Sequence, residues 1–483
     1  MSISSALNSA MSGLTAAGRA SAIVSENLAN AMTPGYARRS LVLTSNANAG
    51  PGVQVVGIHR HSDPGILANR RMADAEYGKA NTLADFHARF ETLVGAPADA
   101  GSISMRLAEF ENSLISAASR PDSVQRLDMV AVRAGDLAQS ISTAAEGVRS
   151  MRTQADHAIG TQVDRLNLAL KNVQELNTRI ATSKPGAGNT AALLDQRQML
   201  VDEINTIVPV NVADRDYGKI ALYTNGGAIL LDGPAAQLSF SVTTYTVPEM
   251  NVEDGTLSGL QINGVSVRTD RDSGAMQGGT LAAQFQIRDE LAVTAQTDLD
   301  VVARDLIERF ETPTLDATVA IGDPGLFTDG GSAFDPALVV GLSGRLTLNR
   351  VVDPAEGGES WRLRAGLGAA APGESGNAQL LQAFEQILAD PRTVTSGNFG
   401  TGQLTAAGLG SGLLSQAGQN RNLSEQSLSF ASTSQFELAQ IELMQGVDTD
   451  AELQAMMVIE QAYAANARMI EAADDMMQTL LRL

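Results

Sequence analysis

The chain has 483 residues, with 54 acidic against 34 basic side chains and a formal net charge of -20. This acidic balance argues against nucleic acid as a partner. The sequence has no cysteine, which excludes disulfides, thiolate catalysis and cysteine-ligated zinc or iron–sulfur sites.

The N-terminal residues lack the features of a targeting segment. They carry no basic cluster, and Arg19 interrupts the apolar run, so we expect no cleavable secretory signal. No uncharged apolar run in the sequence approaches the roughly 20 residues that span a bilayer, so we expect no membrane insertion. The protein is therefore expected either to stay in the cytoplasm or to be exported by another route.

Residues 3–28 predict a helix with one narrow apolar stripe. Its members are spaced alternately by four and three: Ile3, Leu7, Ala10, Leu14, Ala17, Ser21, Val24 and Leu28. Thr33-Pro34-Gly35 should end the helix, because the residue before proline avoids the α region and Pro-Gly suits a type II turn.

Two β-rich stretches follow, over 36–44 and 53–58, and "NANAGPG" separates them. This pattern predicts a small hairpin. His59 and His61 fall on one face of the second strand. Because the sequence shows no third ligand nearby, we expect two exposed polar histidines rather than a metal site.

The next section of the chain is helical by its pattern. Two stripes share a helical spacing: Leu83, Phe86, Phe90 and Leu93, then Ile103, Leu107, Phe110 and Leu114. Pro121 and Asp122 signal a helix start. The apolar rhythm over 122–183 predicts one helix about 90 Å long at ~1.5 Å per residue. "SKPGAGN" breaks it, and a shorter helix over 191–208 stops at Pro209.

This shorter helix contains "LLDQR", residues 193–197. We do not interpret its Asp195 and Arg197 as an acid–base dyad. We predict that they form a helix-packing or intersubunit polar pair.

Residues 210–275 change character. "KIALYTNGGAILLDG" and "LSGLQINGVSVRTD" alternate or carry turn dipeptides, which predicts strands. A helical pattern returns over 281–310. Residues 313–374 are rich in Gly, Pro and Asp, with strands predicted at 344–352 and 360–367. Helices are predicted near 376–389 and over 404–445.

Gly446 should separate the last two helices, and Thr449 and Glu452 have the spacing of a capping box. The final helix repeats the narrow stripe of the first: Met456, Ile459, Tyr463, Asn466, Ile470, Ala473, Met477 and Leu480. Neither helix can bury such a face alone. The two ends could pair and then pack against other subunits, or form an ordinary coiled coil within one subunit.

Both ends resemble the bacterial flagellar axial proteins, the family of rod, hook and hook-associated proteins. The N-terminal resemblance rests on these residues: Asn27, Leu28, Asn30, Thr33, Pro34, Gly35, Tyr36, Arg38 and Arg39. The C-terminal resemblance rests on Gln461-Ala462-Tyr463 and the closing Leu480-Leu481-Arg482-Leu483. Segments 119–141, 193–212 and 278–291 resemble hook-associated members, and the resemblance is weakest at 313–375.

The resemblance implies a discontinuous multidomain fold, mainly α with a β-rich outer part. Residues 1–45 with 446–483 would pair as a coiled-coil-like inner tube domain. Residues 46–210 with 276–312 and 404–445 would form a long-helix rod domain. Residues 211–275 and 313–403 would form the β-rich outer region.

The resemblance also implies a structural role at the junction between hook and filament, outside the cell. Export would use the flagellar type III apparatus without signal cleavage. The implied partners are hook protein, a second junction protein, further copies in a ring and an export chaperone at the C-terminal region. No cofactor, metal, nucleic acid or membrane insertion is implied.

Ten stripe residues would form the assembly interface: Ile3, Leu7, Leu14, Val24, Leu28, Ile459, Tyr463, Ile470, Met477 and Leu480. Five would form the signature turn: Asn30, Thr33, Pro34, Gly35 and Tyr36.

Two alternatives stay open. Another axial component, hook protein or a flagellin-like subunit, would share both termini, although "LLDQR" and the long helix separate the chain from hook protein. An enzyme on an axial scaffold would need a catalytic constellation. The sequence has no H-E-x-x-H, no outstanding carboxylate pair and no phosphate-binding loop, so we expect no enzyme.

Overall fold

The computed structural model describes residues 3–45, 52–96, 99–183, 189–269, 274–400 and 402–482. Helices dominate, and small antiparallel sheets lie in the middle of the chain, as the expected fold class requires. The helices are α1 (Ile3–Ala29), α2 (Pro64–Val94), α3 (Ile103–Ser119), α4 (Val124–Thr182), α5 (Asn189–Ile207), α6 (Gly279–Gln286), α7 (Ala292–Phe310), α8 (Arg362–Ala365), α9 (Gln379–Ala389), α10 (Ala406–Met444) and α11 (Thr449–Leu481).

The strands are short and pair with strands that lie near them in sequence. They are β1 (Arg39–Ser45), β2 (Val53–Arg60), β3 (Val210–Asp214), β4 (Ile220–Thr224), β5 (Ile229–Leu231), β6 (Leu238–Ser239), β7 (Leu260–Ile262), β8 (Val265–Val267), β9 (Phe327–Asp329), β10 (Leu346–Leu348), β11 (Arg392–Thr393) and β12 (Gln403–Leu404). All pairs are antiparallel: β1–β2, β3–β4–β5, β6–β7–β8, β9–β10 and β11–β12.

The long helix predicted over 122–183 is confirmed as α4, which has 59 residues. It starts after Ser123 rather than at the predicted Pro121-Asp122 signal. Its apolar stripe is buried from Leu127 to Ile180, so α4 contributes to both large cores of the molecule. The predicted break "SKPGAGN" and the predicted hairpin turn fall mainly at 184–188 and 46–51, outside the described residues.

The first core contains a cluster of four phenylalanines, each from a different helix or strand. The ring centroid of Phe310 on α7 lies 6.1 Å from that of Phe110 on α3, 5.4 Å from Phe327 on β9 and 5.2 Å from Phe384 on α9. Such tilted and edge contacts are favourable aromatic geometries. Residues 313–403 therefore share their core with the helical body.

The strand predicted at 360–367 is wrong, because this segment contains the short helix α8. Leu363 is fully buried, and Arg364 Nη1 and Nη2 donate to the carbonyl oxygens of Pro121 and Pro372, each at 2.9 Å. These bonds to two distant turns stabilise the helical turn at α8. In an extended strand the Arg364 side chain would point away from those carbonyl oxygens. The strand predicted over 344–352 is confirmed only at β10.

The helix predicted over 281–310 contains a π-helical turn, Ile287–Leu291, between α6 and α7. This turn includes Arg288, whose side chain is fully buried. Its Nη1 donates to Asp156 Oδ1 at 2.8 Å, and Asp156 is also fully buried. The extra residue of a π turn changes the direction of the side chains, and here the buried arginine faces α4.

The second core joins the far half of α4 to the small sheets. The Asn177 side chain donates to Ile220 O at 2.8 Å and accepts from Ile220 N at 3.2 Å. Asn167 makes the same pair of bonds with Leu238, at 2.8 and 2.9 Å. Each side-chain amide therefore bonds the backbone N–H and C=O of one strand residue, as a neighbouring strand would. These bonds hold the small sheets against α4.

No helix within the described ranges is long and apolar enough to cross a membrane.

Candidate assembly site: the terminal-helix pair and its joint

Helices α1 and α11 pack as an antiparallel pair. Gly13 faces Asn466, and Ser21 Oγ lies 3.3 Å from Met456 Sδ. A Cβ on Gly13 would lie 2.7 Å from the Asn466 side chain, so the absence of a side chain there permits the close approach. The first and last helices thus meet in space.

The predicted stripe of α1 only partly faces α11. Ala10, Ala17 and Val24 are buried, whereas Ile3, Leu7 and Leu14 are half-buried. Leu28, also predicted for the interface, is 37% exposed.

The stripe of α11 is more open than that of α1. Ile459 and Ile470 are half-buried, whereas Tyr463, Met477 and Leu480 are 47%, 40% and 60% exposed. Further large apolar side chains on the same helix are also exposed: Leu453, Met457, Val458, Met469, Met476 and Leu481. So many exposed large apolar side chains on one helix are typical of an interaction site.

Asn27 is the polar centre of the site and is fully buried. Its Nδ2 donates to Arg39 O at 2.8 Å and to Glu452 Oε2 at 3.1 Å. Its Oδ1 accepts from Arg39 N at 3.0 Å and from the Tyr36 hydroxyl at 2.8 Å. One amide therefore fastens the end of α1 to β1 and to α11, and all of its donors and acceptors are used.

Glu452 completes this connection from α11. It is 1% exposed, and its Oε1 accepts from Arg38 Nε at 2.6 Å. The predicted capping box is wrong: Asp448 is the N-cap, and its side chain accepts from the amides of Asp450 and Ala451. Glu452 reaches Asn27 and Arg38 because its side chain is not needed at the helix end.

The signature turn has the geometry that its residues suggest. Thr33 N donates to Asn30 O at 2.9 Å, and Tyr36 N donates to Thr33 O at 3.2 Å. Gly35 has φ 76°, and a Cβ there would lie 2.6 Å from Met199 Cγ on α5. Burial raises the pKa of Tyr36 to about 12, so the phenol remains a hydrogen-bond donor.

The joint between the β1–β2 hairpin and the body is ionic. Asp195 accepts from Arg39 Nη2 at 2.6 Å and from Arg60 Nε at 2.7 Å. The predicted pairing of Asp195 with Arg197 is wrong. Arg197 Nη1 instead donates to Asn177 Oδ1 at 2.9 Å and to Gly218 O at 2.7 Å, and burial lowers its pKa to about 10.

The histidines do not form a ligand set. His59 is exposed, and His61 Nε2 lies 2.8 Å from Ser40 Oγ. The two rings are in edge contact at 4.6 Å. Among the described residues, no group of three or more His, Asp or Glu side chains is arranged to hold a metal ion.

The sequence patterns do not indicate that Asn27 and Glu452 connect the two terminal helices. Asn27 was recognised only as part of a motif, and Glu452 was assigned to a cap. The available signal was a polar residue adjoining the apolar stripe near the end of each terminal helix, because such a residue needs a specific partner when it is buried.

Three family profiles match the chain. The profile described as "Flagellar hook-associated protein FlgK helical domain" matches residues 87–325. "Flagella basal body rod protein" matches residues 7–36, within α1 and the signature turn. "Flagellar basal body rod FlgEFG protein C-terminal" matches residues 444–483, the region of α11.

Three curated relatives carry the name flagellar hook-associated protein 1. The Escherichia coli (strain K12) protein is 27% identical over 67% of this chain and 59% of its own length. The Salmonella typhimurium protein is 31% identical over 51% of this chain and 46% of its own length. The chain thus spans about half the length of these two relatives. The Bacillus subtilis (strain 168) protein is 24% identical over 98% of this chain and 97% of its own length.

A solved structure, that of the flagellar hook junction protein FlgK from Burkholderia pseudomallei, is also similar. It aligns with a TM-score of 0.45 and 18% identity, over 55% of this chain and 47% of that chain.

Proposed function

The chain belongs to the family of flagellar hook-associated proteins, and we propose that it is a structural subunit that joins hook to filament in the bacterial flagellum. The observation that carries this proposal is the terminal-helix pair. Its two helices lie where the two rod-protein profiles match, and Asn27, Arg38 and Glu452 fasten them together.

The apolar side chains left open on this pair are the proposed assembly interface. Burial of apolar surface stabilises association by about 25 cal/mol per Å² before ordering costs are subtracted. Half-buried Ile470 and exposed Leu480 would complete their burial against neighbouring copies. The tube would then be lined by residues 1–45 with 446–483. Around it would lie residues 46–210, 276–312 and 404–445. The outermost part would be formed by residues 211–275 with 313–403.

The proposed partners follow from this position in the assembly. Hook protein would contact one side of a ring of these subunits, and a second junction protein the other. Before assembly, an export chaperone would cover the C-terminal region, whose exposed apolar residues favour such a cover. We place the protein outside the cell at the hook–filament junction, after export without signal cleavage. We assign it no catalytic activity.

Deletion of the coding sequence tests this function. The mutant should build hooks but carry no attached filament, and flagellin should accumulate in the medium. Hooks and released flagellin can be measured by electron microscopy and immunoblotting, with complementation by the intact chain as the control. Normal filaments and normal swimming in the deletion strain would contradict the proposal.

A further inference from the structure

Asp195 on α5 bridges two arginines that face each other across a hairpin. Arg39 and Arg60 are direct cross-strand partners of β1 and β2. Like charges opposite each other weaken strand pairing. The Asp195 carboxylate relieves this repulsion, because each of its oxygens accepts from one arginine, at 2.6 and 2.7 Å. The three side chains are only 3–14% exposed, so solvent screens the interaction weakly.

Asp202 repeats the same arrangement on the same helix. It lies seven residues after Asp195, which places it two turns and about 10 Å further along one face. Its two oxygens accept from Arg70 Nη2 and Arg71 Nε, both at 2.6 Å. Arg70 Nε also donates to Glu442 Oε2 on α10 at 2.7 Å. Asp202 therefore ties α5 to α2 and α10.

The two aspartates hold different parts of the chain. The arginines at Asp202 belong to α2, a helix of the body. The arginines at Asp195 belong to the hairpin, which the signature turn connects to α1. Gln198 bonds Arg60, and Met199 packs closely against Gly35, so α5 contacts both the hairpin and the signature turn.

We propose that Asp195 is a positioning residue that fixes the angle between the terminal-helix pair and the helical body. Asp202 anchors α5 within the body, and Asp195 projects from that anchored helix to the hairpin. Without the Asp195 carboxylate, the hairpin loses its ionic attachment to α5. Arg39 then keeps the more exposed Glu26, and Arg60 keeps the neutral Gln198 side chain. The consequence for tube assembly rests on the proposed function, but the angle itself is a property of the single chain.

The chain has no cysteine, so two introduced cysteines can carry spin labels without background. Exposed Glu460 on α11 and exposed Asp164 on α4 are suitable sites. The distance distribution between the labels, measured on the full-length purified monomer, should be narrow with Asp195 intact. In Asp195→Asn it should broaden and shift, while thermal unfolding of the body is unchanged. Glu175→Gln, an exposed change on α4, is the matched control and should leave the distribution narrow.

A second variant tests the contribution of one of the two arginines that bond Asp195. Arg60→Gln alone removes one of the two arginine bonds of Asp195 and keeps the bond to Arg39, so it should broaden the distribution less than Asp195→Asn does. A narrow distribution in Asp195→Asn would overturn the proposal. A distribution in Arg60→Gln that is broader than in Asp195→Asn would overturn it too, and so would a large loss of body stability in Asp195→Asn. None of these outcomes depends on whether the protein acts at the hook–filament junction.

Discussion

Replacing Asn27 by alanine should detach the end of α1 from its neighbours. The change leaves four groups without their Asn27 partner: the backbone N–H and C=O of Arg39, Glu452 Oε2 and the Tyr36 hydroxyl. Each buried group left unsatisfied costs ~1–3 kcal/mol. We expect a total of about 3–5 kcal/mol against the docked state, after partial rehydration of these groups.

The matched control is Asn30→Ala, a second asparagine of the same motif. The Asn30 side chain bonds only locally, to Glu26 O and Thr33 Oγ1, on an exposed surface. A substitution at such a site is expected to change stability by about 0.5 kcal/mol. The two variants remove the same chemical group from positions three residues apart.

Hydrogen exchange of the purified chain measures the difference. Amides of β1 and of the first two turns of α11 should exchange ~100-fold to a few thousand-fold faster in Asn27→Ala, because every 1.4 kcal/mol is a factor of ten. They should be nearly unchanged in Asn30→Ala. Equal exchange in the two variants would refute the role assigned to Asn27.

Three further predictions concern the assembly stripe, a buried ion pair and pH. Ile470→Asp and Leu480→Asp should leave the melting of the body unchanged but be poorly incorporated at hook tips relative to the amount of each variant that is secreted, since each adds an unpaired carboxylate to a surface that assembly buries; normal incorporation per secreted molecule would contradict this. Asp156→Ala should lower the free energy of unfolding in urea by about 3 kcal/mol, because it removes one of the two carboxylates that pair with buried Arg288 and leaves the Thr243 N–H without its acceptor, whereas Arg165→Ala, in an exposed pair with Glu203, should cost about 1 kcal/mol or less. Burial and Glu385 raise the pKa of Glu111 above its ordinary 4.5, with Arg309 opposing. The charged carboxylate is therefore unfavourable in the fold, so Glu111→Gln should stabilise the protein at pH 7 and lose this advantage below pH 4.5. Equal stabilisation by Glu111→Gln at pH 7 and below pH 4.5 would exclude the raised pKa of Glu111 as the cause.

Local periodicity predicted the helices well because their stripes are long. The repeat that runs from Leu127 to Ile180 is dictated by burial along one face of α4, so sequence alone locates it within a few residues. Segment 360–367 was mistaken for a strand because its short alternation fits one turn of helix equally well. Only the distant carbonyl partners of Arg364 distinguish the two.

The polar contacts of the assembly site were much harder to predict. Asp195 is two residues from Arg197, yet its partners Arg39 and Arg60 are 156 and 135 residues away. Glu452 fits a cap by spacing, yet Asp448 supplies the cap and leaves Glu452 for Asn27. Such pairings depend on how α5 and α11 meet the hairpin, which no local pattern determines.

The proposed function requires that the apolar stripe of α11 becomes buried between subunits. Cysteine accessibility tests it directly in the cysteine-free chain, with Ile470→Cys and Leu480→Cys on the stripe and Ile321→Cys, 90% exposed and far from α11 in sequence, as the reference. In the purified monomer a maleimide should label all three. In isolated hook–filament junctions the two stripe cysteines should be protected while Ile321→Cys still reacts. Equal labelling of the stripe cysteines before and after assembly would contradict the account.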